Sequence, residues 1–229
     1  MRSQPDVVMV QISSSSTFAL LASTACCFAL AGLWGSFLPN QHRMSLDEVF
    51  GIIAATASLW ALRKPVHTLR IRFAKFAAII VSLSGLLSLS QYLFAWPAPE
   101  LWSGVLGRPA PYAALMLLLL GLALLLMDYK VLGMWPAEAF ALTASLVALL
   151  AIEGWLLRVD PFYIAPGKLV VSLPAALAFL SVALAIFAVR PRRGLVRILR
   201  SKGQAGVVVL RLLWMPFLVP FALGAILFT

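Results

Sequence analysis

Long apolar stretches separated by short polar connections dominate the chain. Seven of them can be distinguished, and they run approximately over 17–37, 46–62, 74–95, 110–127, 137–157, 169–189 and 207–228. An α-helix needs roughly 20 residues to cross the hydrocarbon core of a bilayer, and most of these stretches are close to that length. The pattern predicts an all-α fold, a polytopic transmembrane helix bundle with about seven spans.

The composition agrees with a chain surrounded by lipid. Hydrophobic residues make up 62% of the 229 residues and charged residues only 11%, with a mean hydropathy of +0.99. About a quarter of the residues in a soluble domain are charged, because polar side chains must cover its surface. Lipid must therefore take the place of water around this protein.

The net charge of +10 arises mainly in two connections between apolar stretches, 63–75 and 190–206. An excess of lysine and arginine marks cytoplasmic connections, which face anionic lipid head groups. The N-terminus is then cytoplasmic, and the expected location is a bacterial inner membrane crossed several times. Because no folded basic module with a groove-reading element is present, no nucleic-acid partner is expected.

A repeat organises the apolar part of the chain. When the sequence is shifted by 62 residues, 112–128 falls on 174–190 and 82–94 falls on 144–156. We therefore predict a parallel repeat of two-helix hairpins, with the first two helices as a diverged third copy. The expected organisation is a cytoplasmic tail followed by a single transmembrane domain, with the boundaries tail 1–16, domain 17–229, and hairpins at approximately 74–128 and 136–190.

The connection after the second hairpin has its own pattern. Residues 192–203 read as an amphipathic cytoplasmic segment in which Arg193, Arg197 and Arg200 share one face. Such a helix lies in the membrane interface, so these three arginines are expected to contact lipid head groups. The last span, 207–228, follows it.

Two neighbouring stretches resemble a known family. They are SLSGLLSLSQYLFAW at 82–96 and GRPAPYAALMLLLLGLALLLMD at 107–128. They are similar to the multi-pass N-terminal membrane region that precedes PAS, histidine-kinase and diguanylate-cyclase (GGDEF) modules in bacterial signalling proteins. The positions that match the family motif are Gly107, Arg108, Pro111, Ala114 and Leu115. Tyr112 and Ala113 stand where the family carries Asn and Thr.

The resemblance implies a sensory input domain that is not itself an enzyme. It would pass an external or bilayer stimulus to an output module, and any kinase or cyclase activity would reside in that module, which is expected outside these residues. The physical requirement is a bundle with two packings of similar energy and different affinity for the stimulus. The alternatives are a small transporter or permease-like protein and a structural membrane protein.

Polar groups inside a membrane are expensive and are candidates for function. Glu153 is the clearest, followed by Gln91, which the repeat places at the equivalent position. They would line a pocket on the external side or relay a proton. Alternatively, they hydrogen-bond between helices or extend to the head groups.

Two further sets of residues have a functional and a structural interpretation. Ser84, Ser88 and Gln91 fall on one stripe of the third helix, where small and hydroxyl residues usually let helices approach closely. Pro216 and Pro220 interrupt the backbone hydrogen bonds of the last span and form either a hinge or a plain irregularity.

No known catalytic motif occurs in the sequence, and no enzymatic activity is expected. The adjacent Cys26 and Cys27 do not form a redox pair, and His42 and His67 lack partner ligands, so no metal and no cofactor are expected. The expected partners are membrane lipids, with self-association as a dimer as a second expectation. No small-molecule ligand is identified.

Overall fold

The computed structural model describes residues 5–35, 44–63, 68–94, 109–131, 135–156 and 171–189. They form six α-helices, which are α1 (Pro5–Gly35), α2 (Leu46–Arg63), α3 (Thr68–Leu93), α4 (Pro111–Leu125), α5 (Pro136–Leu156) and α6 (Leu173–Val189). No strand occurs among these residues, so the all-α expectation is confirmed for this part of the chain.

Local sequence signals explain where the helices begin. Proline occupies the first position of α1, α4 and α5, where its missing N–H costs no hydrogen bond. Serine precedes α2 and α6, and the hydroxyls of Ser45 and Ser172 accept hydrogen bonds from the backbone N–H groups of Glu48 and Ala175, at 3.2 and 3.4 Å. These contacts are N-caps, which satisfy N–H groups that have no partner within the helix.

The predicted and observed helix bounds differ at two places. α1 already begins at Pro5, so residues 5–16 extend the first helix where the sequence predicts a tail. No proline or glycine lies between residues 6 and 31 to interrupt it. α3 begins at Thr68, so Arg70, Arg72 and Lys75 lie in its first turns and not in a connection. Lysine and arginine are good helix formers, which explains the earlier start.

Two of the described helices, α3 and α5, are long and apolar enough to cross a membrane. Three shorter apolar helical stretches accompany them, at Thr17–Gly32, Pro111–Leu125 and Leu173–Val189. The expected count of seven spans is not supported by this finding. The segments predicted at 192–203 and 207–228 lie outside the described residues.

The six helices pack as a closed ring. Each helix contacts the next one along the chain, and α1 packs extensively along α6 to close the ring. α2, α4 and α6 also contact one another and form the centre. The two hairpins predicted from the sequence correspond to α3 with α4 and to α5 with α6. The sequence repeat itself stays a prediction.

Small residues let α3 and α4 approach closely. A Cβ atom added to Gly85 would lie 2.8 Å from the backbone oxygen of Ala114, and it would also clash with the backbone of Leu118. The backbones of the two helices are therefore in direct contact. Buried alanines, such as Ala78 on α3 and Ala113 on α4, continue this close packing.

Large apolar side chains cover the outer face of α3. These are Phe73, Phe76, Ile79, Ile80, Leu83, Leu86 and Leu87, and each is between 43% and 62% exposed. A contiguous apolar surface of this size is unusual on a protein that faces water.

Candidate functional site

The charged side chains divide between the two ends of the bundle. Successive helices run in opposite directions, so the starts of α2, α4 and α6 lie at the same end as the finish of α3 and α5. We name this the carboxylate end, because it holds Asp47, Glu48 and Glu153. We name the opposite end the basic end, and it holds all the described lysines and arginines, namely Arg63, Arg70, Arg72, Lys75 and Lys130.

Asp47 lies in the first turn of α2 and connects this helix to α3. It is only 7% exposed. Its Oδ1 accepts a hydrogen bond from the Ser84 hydroxyl at 3.1 Å, and its Oδ2 accepts one from the Ser88 hydroxyl at 3.3 Å. Ser84 and Ser88 are one turn apart on α3, so a single carboxylate can reach both hydroxyls.

Glu48 connects the same end of α2 to α4. It is 4% exposed. Its Oε2 accepts the N–H of Ser45 and its Oε1 accepts the N–H of Ala110, both at 3.3 Å. With the Ser45 hydroxyl accepting the N–H of Glu48, the first contact completes a capping box. The second reaches the residue that directly precedes α4.

One more hydrogen bond ties α3 to the start of α4. The Tyr92 hydroxyl donates to the backbone oxygen of Pro109 at 2.8 Å. Pro109 is buried and adjoins Ala110, which Glu48 contacts. The start of α4 is thus held by α2 on one side and α3 on the other.

The electrostatics of this cluster are unusual. Asp47 and Glu48 are adjacent and buried, while the described lysines and arginines lie at the other end of the bundle. Taking a carboxylate out of water without a positive partner is costly. Hydrogen-bond donors and the positive ends of α2 and α4 offset part of this cost, since a helix N-terminus favours negative charge. All four carboxyl oxygens of the pair accept a hydrogen bond.

Glu153 lies at the same end but is not connected in this way. It is 3% exposed, near the end of α5, and neither of its carboxyl oxygens has a hydrogen-bond partner among the described residues. An unsatisfied buried polar group lowers stability and calls for an explanation, such as a ligand or a proton.

The predicted polar residues therefore have different surroundings. Ser84 and Ser88, whose spacing indicated close helix packing, both donate a hydrogen bond to Asp47 of α2. Gln91 is half-buried one turn beyond Ser88, and the described residues give its amide no hydrogen-bond partner. Glu153 lies on α5, and its carboxyl oxygens accept no hydrogen bond from the described residues, Gln91 included.

The residues of the family motif lie mostly at the start of α4. Pro111 is its first residue, Ala114 is buried opposite Gly85, and Leu115 is half-buried. The other predicted positions lie outside the described residues, namely Gly107, Arg108, Arg193, Arg197, Arg200, Pro216 and Pro220.

Asp47 and Glu48 were not predicted as site residues. In the sequence they only make the start of the second apolar stretch acidic and less hydrophobic. Two signals could have found them. Ser45 and Glu48 have capping-box spacing, and the serine stripe of α3 needs a polar partner on a neighbouring helix.

Comparison with known proteins adds no relative: no protein-family profile, curated protein or solved structure matches the chain. The described residues form an all-α helix bundle with buried carboxylates at one end.

Proposed function

We propose that this chain is a membrane-embedded signal-input domain. In this proposal it is a non-catalytic bundle of about seven spans in a bacterial inner membrane, with a cytoplasmic N-terminus and a repeat of two-helix hairpins. It converts a stimulus at the carboxylate end or in the bilayer into a change of helix packing. An output module then receives this change.

The observation that carries the proposal is the coupling of three helices by two adjacent buried carboxylates. Asp47 holds α2 to α3, and Glu48 holds α2 to α4. These contacts are polar and exchangeable, in contrast to the apolar packing around them. A proton or a ligand that competes for Asp47 would release the contact of α2 with α3, and one that competes for Glu48 would release its contact with the start of α4.

The outer surface of α3 supports placement in a membrane. Its exposed apolar side chains extend from Phe73 to Leu93, a rise of about 30 Å at 1.5 Å per residue. This matches the thickness of the bilayer hydrocarbon core. The lysines and arginines of the basic end lie at one end of this apolar surface. This is the arrangement expected if that end faces the cytoplasm.

Membrane placement is tested first, with single cysteines in a chain that carries Cys26→Ala and Cys27→Ala. Cysteines placed at Ile80 and Leu83 should react with a membrane-permeant maleimide only after detergent solubilisation, because a thiol in hydrocarbon does not form the reactive thiolate. A cysteine at Arg72 should react in inside-out vesicles. Free reaction of Ile80→Cys with a water-soluble maleimide in intact membranes would contradict the placement.

Two packings are tested next in lipid nanodiscs. Spin labels at Leu30 on α1 and Leu93 on α3, both exposed, should report two distance populations. Asp47→Asn should shift their ratio, because it weakens the contact between α2 and α3. A second pair of spin labels, at Leu20 on α1 and Leu69 on α3, lies near the basic end and serves as the control. It shows whether the helices also move away from the carboxylate end. A single population that Asp47→Asn leaves unchanged would oppose a role in signalling.

One observation favours a second function. Glu153 is a buried carboxyl group without a hydrogen-bond partner among the described residues, and such groups relay protons in transporters. A proton-coupled transporter would acidify proteoliposomes in response to a gradient of its substrate. A panel of substrates is tested on the wild type and on Glu153→Gln. If no substrate drives a proton flux that is lost in Glu153→Gln, the signal-input proposal is the better one.

A further inference from the structure

The start of α3 combines exposed cations with exposed apolar side chains. Leu69, Phe73 and Phe76 are 57% to 77% exposed, and Arg70 and Arg72 lie between them. This mixture is typical of a helix segment at the boundary between hydrocarbon and head groups. The basic end is therefore the place to look for a lipid site.

Three cations lie at the start of α3 and directly after the end of α4, which are joined by a contact between Lys75 and Tyr129. Arg72 and Lys75 are three residues apart and share one side of α3. The Lys75 ammonium lies 5.3 Å from the centre of the Tyr129 ring, which directs it towards the turn after α4. Lys130 follows Tyr129 in that turn and is exposed. Arg72 and Lys130 form no ion pair with the described residues.

Acidic groups do not cancel this charge. Asp128 and Glu138 lie at the same end, and each has an interaction of its own. Five basic side chains face two acidic ones in the described part of this end. The excess is positive and favours an anionic partner.

An apolar track leads away from Arg72 towards the middle of the bundle. Phe76, Ile80, Leu83 and Leu87 follow Arg72 at steps of four, four, three and four residues, which places them on one face of the helix. All four are 47% to 62% exposed. A phosphate held at Arg72 would thus have an apolar track of about 20 Å for its acyl chain, at 1.5 Å per residue.

We propose that Arg72, Lys75 and Lys130, with the ring of Tyr129, bind the head-group phosphate of an acidic phospholipid whose acyl chain lies along the outer face of α3. The site is distinct from the carboxylate cluster at the other end. It requires the chain to be in a membrane, but it does not require it to signal.

Lipid binding is measured on the purified full chain by native mass spectrometry, with dioleoylphosphatidylglycerol and dioleoylphosphatidylcholine as probes. The wild type should prefer the glycerol lipid. Arg72→Gln and Lys130→Gln should each weaken that lipid by about fivefold and leave the choline lipid unchanged, since a basic residue near an anionic surface contributes about 1 kcal/mol.

Arg70→Gln is the matched control. It removes the same charge from the same helix, but two residues from Arg72, on the opposite side. An equal loss in Arg70→Gln and Arg72→Gln would overturn a defined site and leave only general attraction to the membrane surface. Equal binding of both lipids by the wild type would overturn the proposal as well.

Two further measurements separate the other outcomes. Inorganic phosphate should not protect the chain against thermal unfolding, whereas the glycerol lipid should, and equal protection by both would reject a lipid occupant. Membrane fractionation of the expressed chain distinguishes the two proposals. A soluble chain would reject the membrane placement, while an inserted chain indifferent to the glycerol lipid would reject only this site.

Discussion

Gly121 of α4 packs directly against the backbone of Ser82 on α3. A Cβ atom at Gly121 would lie 2.6 Å from the Ser82 nitrogen and 2.8 Å from its Cα. Gly85 occupies the reciprocal position on α3, against Ala114 and Leu118 of α4. The contact between these helices depends on two glycines because a Cβ atom at either one would meet the backbone of the other helix.

Gly121→Ala and Gly85→Ala should therefore destabilise the bundle, each by about 1 to 3 kcal/mol. Alanine is the better helix former by about 1 kcal/mol, so a net loss means that the clash outweighs the gain in propensity. The measurement is unfolding in mixed micelles, followed by circular dichroism.

Gly51→Ala is the control for these two substitutions. Its added Cβ would contact a terminal methyl group of Leu117, which can rotate away, and not backbone. We expect no loss of stability there. A loss as large as that of Gly121→Ala would show that the backbone contact between α3 and α4 is not the cause.

Asp47→Ala should cost about 1 to 3 kcal/mol, because it removes the acceptor for the half-buried hydroxyl of Ser84 and the buried hydroxyl of Ser88. A double-mutant cycle with Ser84→Ala and Ser88→Ala should show a favourable coupling energy for the wild-type pairs. Ser145→Ala is the control for the loss of one hydroxyl. The Ser145 hydroxyl donates a hydrogen bond within its own helix, to the backbone oxygen of Ala141 at 2.8 Å. Additive effects of Asp47→Ala and the serine substitutions would refute the link between α2 and α3.

Ser45→Ala should cost about 1 kcal/mol as the loss of an N-cap. Glu48→Ala should cost more, because it leaves the N–H groups of both Ser45 and Ala110 without their acceptor. Ser172→Ala, at the start of α6, serves as the comparison for a simple cap. Equal losses for Ser45→Ala and Glu48→Ala would mean that the contact with Ala110 adds nothing.

Glu153→Met should stabilise the bundle by about 1 to 3 kcal/mol in the absence of any ligand. The carboxyl group is buried without a partner among the described residues, and methionine has a similar volume without the desolvation cost. Glu153→Gln keeps a polar group and should change stability less. Destabilisation by Glu153→Met would reveal a stabilising partner for the carboxyl group.

The helix bounds of α2, α4 and α5 follow closely from the sequence because proline, serine and charged residues mark their ends. The sequence does not determine which side of each helix faces the interior of the bundle. α4 and α6 are apolar on all sides, so periodicity cannot distinguish a side that faces the core from one that faces lipid. Asp47 and Ser84 are 37 residues apart, so only the packing of α2 on α3 reveals their contact. The serine stripe predicted close helix packing and did not identify Asp47 as the acceptor for its hydroxyls.

The contact of α1 with α6 has a consequence for synthesis. A ribosome releases α1 first and α6 last among the described helices, so α1 lacks its most extensive neighbour until five further helices exist. The ring can close only after translation of the hairpin formed by α5 and α6. Two separately expressed fragments, divided between α3 and α4, should therefore reassemble through α1 with α6 as well as through α3 with α4.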